Sequence, residues 1–149
     1  MSKITQIENT RNQQIANYDY TKLALGDNEF VKHDYTASGD TTLAAGLVLG
    51  KVSATGALAA YDPTAIDGSQ FPIGILFLGV QEDVTILDTV TESLTLINKG
   101  RVAESQISFP GGVTIDDIIA GDGRTVKDYL NAMGIILEGG TELTKIDNQ

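Results

Sequence analysis

Leu43-Ala44-Ala45-Gly46-Leu47-Val48-Leu49-Gly50-Lys51-Val52 carries no charge before Lys51 and is framed by Thr41-Thr42 and Ser53-Ala54-Thr55-Gly56. A short apolar run between turn formers predicts a buried strand, although hydrophobic period alone does not separate it from a buried helical segment. Gly46 and Gly50 decide for the strand, because glycine lowers helix propensity. They also mark places where the strand bends or another backbone comes close. Paired glycines at this spacing pack membrane helices only within an apolar stretch of about twenty residues. This run is far shorter.

Turn chemistry follows it. Tyr61-Asp62-Pro63 and Asp67-Gly68-Ser69 combine a preset proline angle with a glycine free to take positive φ. They lead into Pro72-Ile73-Gly74-Ile75-Leu76-Phe77-Leu78, a second buried strand. After the polar break at 79–83, Val84-Thr85-Ile86-Leu87 and Leu94-Thr95-Leu96-Ile97 are short strands rich in β-branched residues. Asn98-Lys99-Gly100 suits a three-residue hairpin loop, with Arg101-Val102-Ala103 returning from it.

The order of these pieces, Leu43-x-Ala45-Gly46-x-Val48-Leu49-Gly50, then Tyr61-Asp62-Pro63, Asp67-Gly68-Ser69 and Pro72-Ile73-Gly74-Ile75-Leu76, resembles the lambda-type bacteriophage head decoration protein D family. The resemblance spans residues 41–110, and its last part, Asn98 to Val102 and Ile107-Ser108-Phe109-Pro110, looks like the family's hairpin and aromatic–proline corner. It implies a mainly β body of the β-clip type, with bent hairpins forming an incomplete barrel. It implies a homotrimer seated on threefold or quasi-threefold positions of a phage head, whose partner is the major capsid protein. The location implied is the outer surface of the virion, after synthesis in the host cytoplasm. The work implied is stabilisation of the expanded shell against the pressure of packaged DNA.

Composition bounds the rest. A chain of 149 residues makes one domain with its own core. It has no cysteine, so disulfides and thiolate metal sites are excluded. No apolar segment reaches membrane-spanning length, and Met1-Ser2-Lys3-Ile4-Thr5-Gln6 lacks the apolar core of a secretion signal. We therefore expect the protein to be made and used without crossing a membrane.

The formal net charge of -10 is unevenly spread. Residues 1–22 set Lys3, Arg11 and Lys22 against Glu8 and Asp19, leaving +1 and hence -11 on residues 23–149. Clustered cations are what nucleic-acid binding begins with. An acidic body predicts no direct DNA contact and suits the outside of a shell.

Residues 1–22 form an arm rich in Asn, Gln and Thr, with Ile4, Ile7, Ile15, Tyr18 and Tyr20 as its apolar content. These match neither strict alternation nor a helical stripe, so the segment is expected to lack order in isolation. An arm of this kind gains structure by adding a strand to a partner's sheet edge, and the resemblance implies docking of that kind on the shell. Residues 23–149 form the compact body.

Within the body, Leu23 to Asp40 is acidic and polar, with Phe30-Val31 as its main apolar content. His33 beside Asp34 is taken as a solvated surface residue, since zinc needs three or four convergent ligands. Toward the C-terminus Thr114-Ile115-Asp116-Asp117-Ile118-Ile119-Ala120 predicts a short helix capped by Thr114. Thr125 to Met133 predicts a better one, with Thr125 as N-cap, Asp128 at the capping-box position and Gly134 just past its end. Ile135-Ile136-Leu137 returns as a strand, and Thr141 to Gln149 is a polar tail.

No pattern in this chain carries catalysis. Asp116, Asp117 and Asp122 lack the alternation and closing Glu of a calcium loop and are read as capping groups. A serine triad would have His33 as its sole base, with no Gly-x-Ser-x-Gly elbow. Gly121-Asp122-Gly123-Arg124 puts an acid where a phosphate loop needs none. The expectation is a structural protein with no catalytic, cofactor or metal site. The competing enzyme reading is a trimeric β-clip pyrophosphatase of the dUTPase type, which Ile66-Asp67-Gly68 faintly matches without the usual Tyr after it. A glycan-binding module would show more exposed aromatics. Pro72, Ile73, Ile75 and Phe109 are candidates for the trimer interface, with the monomer core as the alternative for each.

Overall fold

The computed structural model describes residues 22–139. They form eight strands and one α-helix: β1 (Ala24–Thr36), β2 (Thr41–Ala44), β3 (Val48–Lys51), β4 (Leu58–Ala60), β5 (Pro72–Leu76), β6 (Asp83–Ile86), β7 (Thr91–Ala103), α1 (Val126–Met133) and β8 (Ile135–Glu138). One sheet runs β1-β7-β5-β3-β4, with β8 added to β7, and β2 pairs β6 in a separate two-stranded sheet. All pairings are antiparallel except β7 with β8. The architecture is mainly β, with unclosed sheets in the manner of an incomplete barrel.

The stretch that opened the sequence reading is two strands rather than one. β2 and β3 belong to different sheets, and the chain turns between them at Gly46, whose φ is +86°. The Gln106 carbonyl stands where a Cβ on Gly46 would be, so both the turn and the contact require glycine. Gly46 N–H donates to Leu76 O at 2.8 Å, Ser108 N–H donates to Gly46 O at 2.9 Å, and Leu76 N–H donates to Leu47 O at 2.8 Å. This turn therefore stitches β2, β3, β5 and the 106–108 loop together. At Gly50 the Ser69 backbone approaches closely, as expected of a strand glycine.

Side chains on a strand alternate between faces, and the central strands bury both. Val48, Ile75 and Ile97 face one core with Tyr61, Val102, Ile119, Val126, Leu130 and Ile135. Their neighbours Leu49, Leu76 and Leu96 face a second core with Ala37, Leu43, Leu58, Ile86 and Leu94. Continuous apolar runs such as Leu47-Val48-Leu49 and Ile75-Leu76 are what a strand covered on both faces needs.

The β5 and β6 expectations hold, as do α1 and β8. Thr125 caps α1 by accepting from Asp128 N–H at 3.1 Å, and Gly134 ends it in the left-handed conformation. Two further expectations fail. Asn98-Lys99-Gly100 is no hairpin, because β7 runs unbroken from Thr91 to Ala103. Gly100 does adopt positive φ (+108°), but it uses it in a β-bulge. Gly26 pairs Arg101 and Glu29 pairs Lys99, so Asp27 and Asn28 together face Gly100, with the Asn28 Cα where a Gly100 side chain would go. The Asn28 amide fastens the bulge, donating to Arg101 O at 3.1 Å while its Oδ1 accepts from Gly26 N–H at 3.0 Å.

The second failure is the helix at Thr114–Ala120, which is a pair of turns. Its backbone groups bond elsewhere: Ile119 N–H donates to Arg124 O, Ala120 N–H to Pro63 O, and Val126 N–H to Asp117 O. These bonds anchor the segment against the Tyr61–Pro63 turn and α1, where an isolated short helix would have only its own marginal ladder.

Candidate functional site

Several acidic side chains of the body shape loops. Asp62 accepts from Thr64 Oγ1 at 2.7 Å and Thr64 N–H at 2.9 Å. Asp67 accepts from Ser69 Oγ at 2.6 Å and Ser69 N–H at 3.0 Å. These hydrogen bonds, the side-chain one foremost, hold both carboxyls below their ordinary range. The Asp67-Gly68 pair, the one hint of a nucleotide pyrophosphatase, is thus a turn whose carboxylate faces its own serine.

Asp122 is held low mainly by its hydrogen bond to the Arg124 guanidinium, at 2.7 and 3.0 Å. That guanidinium also lies 4.8 Å from the centre of the Tyr129 ring. Asp117 accepts from Thr114 N–H at 3.0 Å, so capping chemistry is present there without a helix. His33 lies half-buried on β1 opposite Leu94. Among the described residues no three His, Cys, Asp or Glu side chains are grouped to hold a metal ion.

Among the described residues Tyr61 is the one strongly perturbed group. Burial, then the nearby charges of Asp117 and Asp62, push its phenol far above the ordinary value. Its hydroxyl has no hydrogen-bond partner among the described residues. The ring is walled in by the core and packs 6.1 Å from Phe109, an arrangement for packing with no room for a substrate.

The four interface candidates separate by burial. Ile75 is fully buried between β3 and β7, and Pro72 is buried. Ile73 and Phe109 keep part of their surface exposed, Ile73 against the second core and Phe109 against the first. Ile4, Ile7, Ile15, Tyr18 and Tyr20 lie outside the described residues, as does the polar tail.

The surface feature that residue patterns missed is an apolar groove near the start of β1. Leu23, Phe77 and Leu78 line it, and Val80 beyond them is wholly exposed. The groove beside Leu78 and Val80 has a volume of about 800 Å³ and reaches Lys22. A valine set in the polar break Gly79–Asp83 was the available signal.

Comparison with protein-family models finds a match to bacteriophage lambda head decoration protein D over residues 13–124. No curated protein matches the chain.

Proposed function

The chain belongs to the bacteriophage lambda head decoration protein D family, a family of structural capsid proteins, and we propose that it works as a homotrimer on the outside of the expanded head. Its role is phage capsid decoration. In the proposed arrangement the trimer sits at threefold or quasi-threefold positions, binds the major capsid protein, and braces the shell against internal DNA pressure. Residues 1–22 are the arm that adds to the shell, through Ile4, Ile7, Ile15, Tyr18 and Tyr20. Residues 23–149 are the body. Its self-association uses the exposed parts of Ile73 and Phe109, supported from within by Pro72 and Ile75.

The observation that carries this reading is the reach of the family match, which starts at residue 13, ahead of the described body, and runs through it to residue 124. The match therefore takes in residues 13–22 of the proposed arm together with most of the body. The acidity of the body favours the outer face, away from packaged DNA. Trimerisation gives the arms their strength, because three weak attachments joined in one particle gain on the order of 10²–10⁴ in avidity.

Deleting residues 1–20 tests the division of labour. The truncated protein is expected to keep its fold and oligomeric state while no longer co-sedimenting with expanded heads. Normal head binding by the truncated protein would overturn the role of the arm.

A further inference from the structure

The groove beside the β5–β6 connection has an apolar floor, a polar rim and a tethered segment at its mouth. Leu23, Phe77, Leu78 and Val80 supply the apolar surface, and Gln81 and Glu82 the rim. Lys22, the last lining residue, is where the 21 preceding residues join the body. Tyr20 and Tyr18 stand two and four residues from that junction. Extended chain covers about 3.3–3.6 Å per residue, so both rings come within about 14 Å of Lys22.

We propose that in solution this groove is filled by Tyr18 and Tyr20 of the same chain. A tyrosine matches the groove's chemistry, with an apolar ring for the floor and a hydroxyl for the rim. The tether makes the match effective, since a short linker holds a ligand at millimolar effective concentration and a weak contact is then enough. Filling the groove covers Val80, apolar surface that otherwise faces water.

Two measurements on the full-length protein test this without heads, so their failure would leave head binding untouched. The chain has no cysteine, so Y20C combined with V80C supplies a single pair of thiols. Mild oxidation is expected to close a loop within one chain, seen as faster migration on a non-reducing denaturing gel. No cross-link, or one only between chains, overturns the proposal. The chain also lacks tryptophan, so Tyr20→Trp is a sole reporter. Its emission is expected to be blue-shifted relative to free indole and to move red when Val80→Asp is added. Solvent-like emission unmoved by Val80→Asp overturns the proposal. Val80 is wholly exposed, so the aspartate does not disturb the core.

Discussion

Gly46 and Tyr61 show how single residues set the terms of this fold. Gly46 combines a φ of +86° with a carbonyl in the place of its missing side chain. Gly46→Ala should therefore destabilise by at least about 1–3 kcal/mol from backbone strain alone, with the clash adding to it. A thermal melt checks this; an unchanged melting temperature would mean that the turn is free to reshape. Tyr61 carries the opposite kind of cost. Its buried hydroxyl has no partner among the described residues, and leaving such a group unsatisfied costs about 1–3 kcal/mol. Tyr61→Phe should be neutral or stabilising at pH 7. The raised phenol pKa means that the folded state resists ionisation, so its contribution is complete below pH 10.0, the ordinary tyrosine value, and is lost as pH rises beyond it. Stability measured by denaturant titration should fall less steeply above that pH in Tyr61→Phe than in the parent.

At the scale of elements, α1 is the clearest case of local sequence deciding local structure. Thr125 caps it, Gly134 ends it, and Val126 and Leu130 bury its inner face. Thr125→Ala removes the cap from Asp128 N–H and should cost about 0.5–2 kcal/mol. Urea unfolding measures it, and restoration by Thr125→Ser would assign the loss to the hydroxyl. The strands β5, β6 and β8 were legible for similar reasons: short runs with fixed burial and clear turn residues at their ends. β1 was not, because alternating half-buried Val31, His33 and Tyr35 are diluted by polar residues and by the bulge at Asp27-Asn28. The same bulge concealed the continuity of β7. Asn98-Lys99-Gly100 contains the residues of a tight turn, and only the partner strand shows that Gly100 meets Asp27 and Asn28 instead. At Thr114–Ala120 the polar residues suggested a capped helix, but Asp117 accepts from Thr114 N–H in a turn, and bonds to Pro63 and Arg124, distant or beyond the segment, took the backbone.

For the whole molecule, the order of motifs carried more than any one of them. The pieces are joined in the fold: Gly46 and Leu47 bond Leu76 of β5, while Ser53 N–H donates to Asp67 O and Asp62 N–H to Ser69 O across the two aspartate turns. The groove was illegible because Leu23 and the Phe77–Val80 stretch are far apart in sequence and line one surface only in the folded chain. The most direct measurement adds purified full-length protein to undecorated expanded heads and images the particles. Trimeric density over the threefold and quasi-threefold positions of the outer surface is the expected result. Bare heads in the presence of excess folded protein would contradict it.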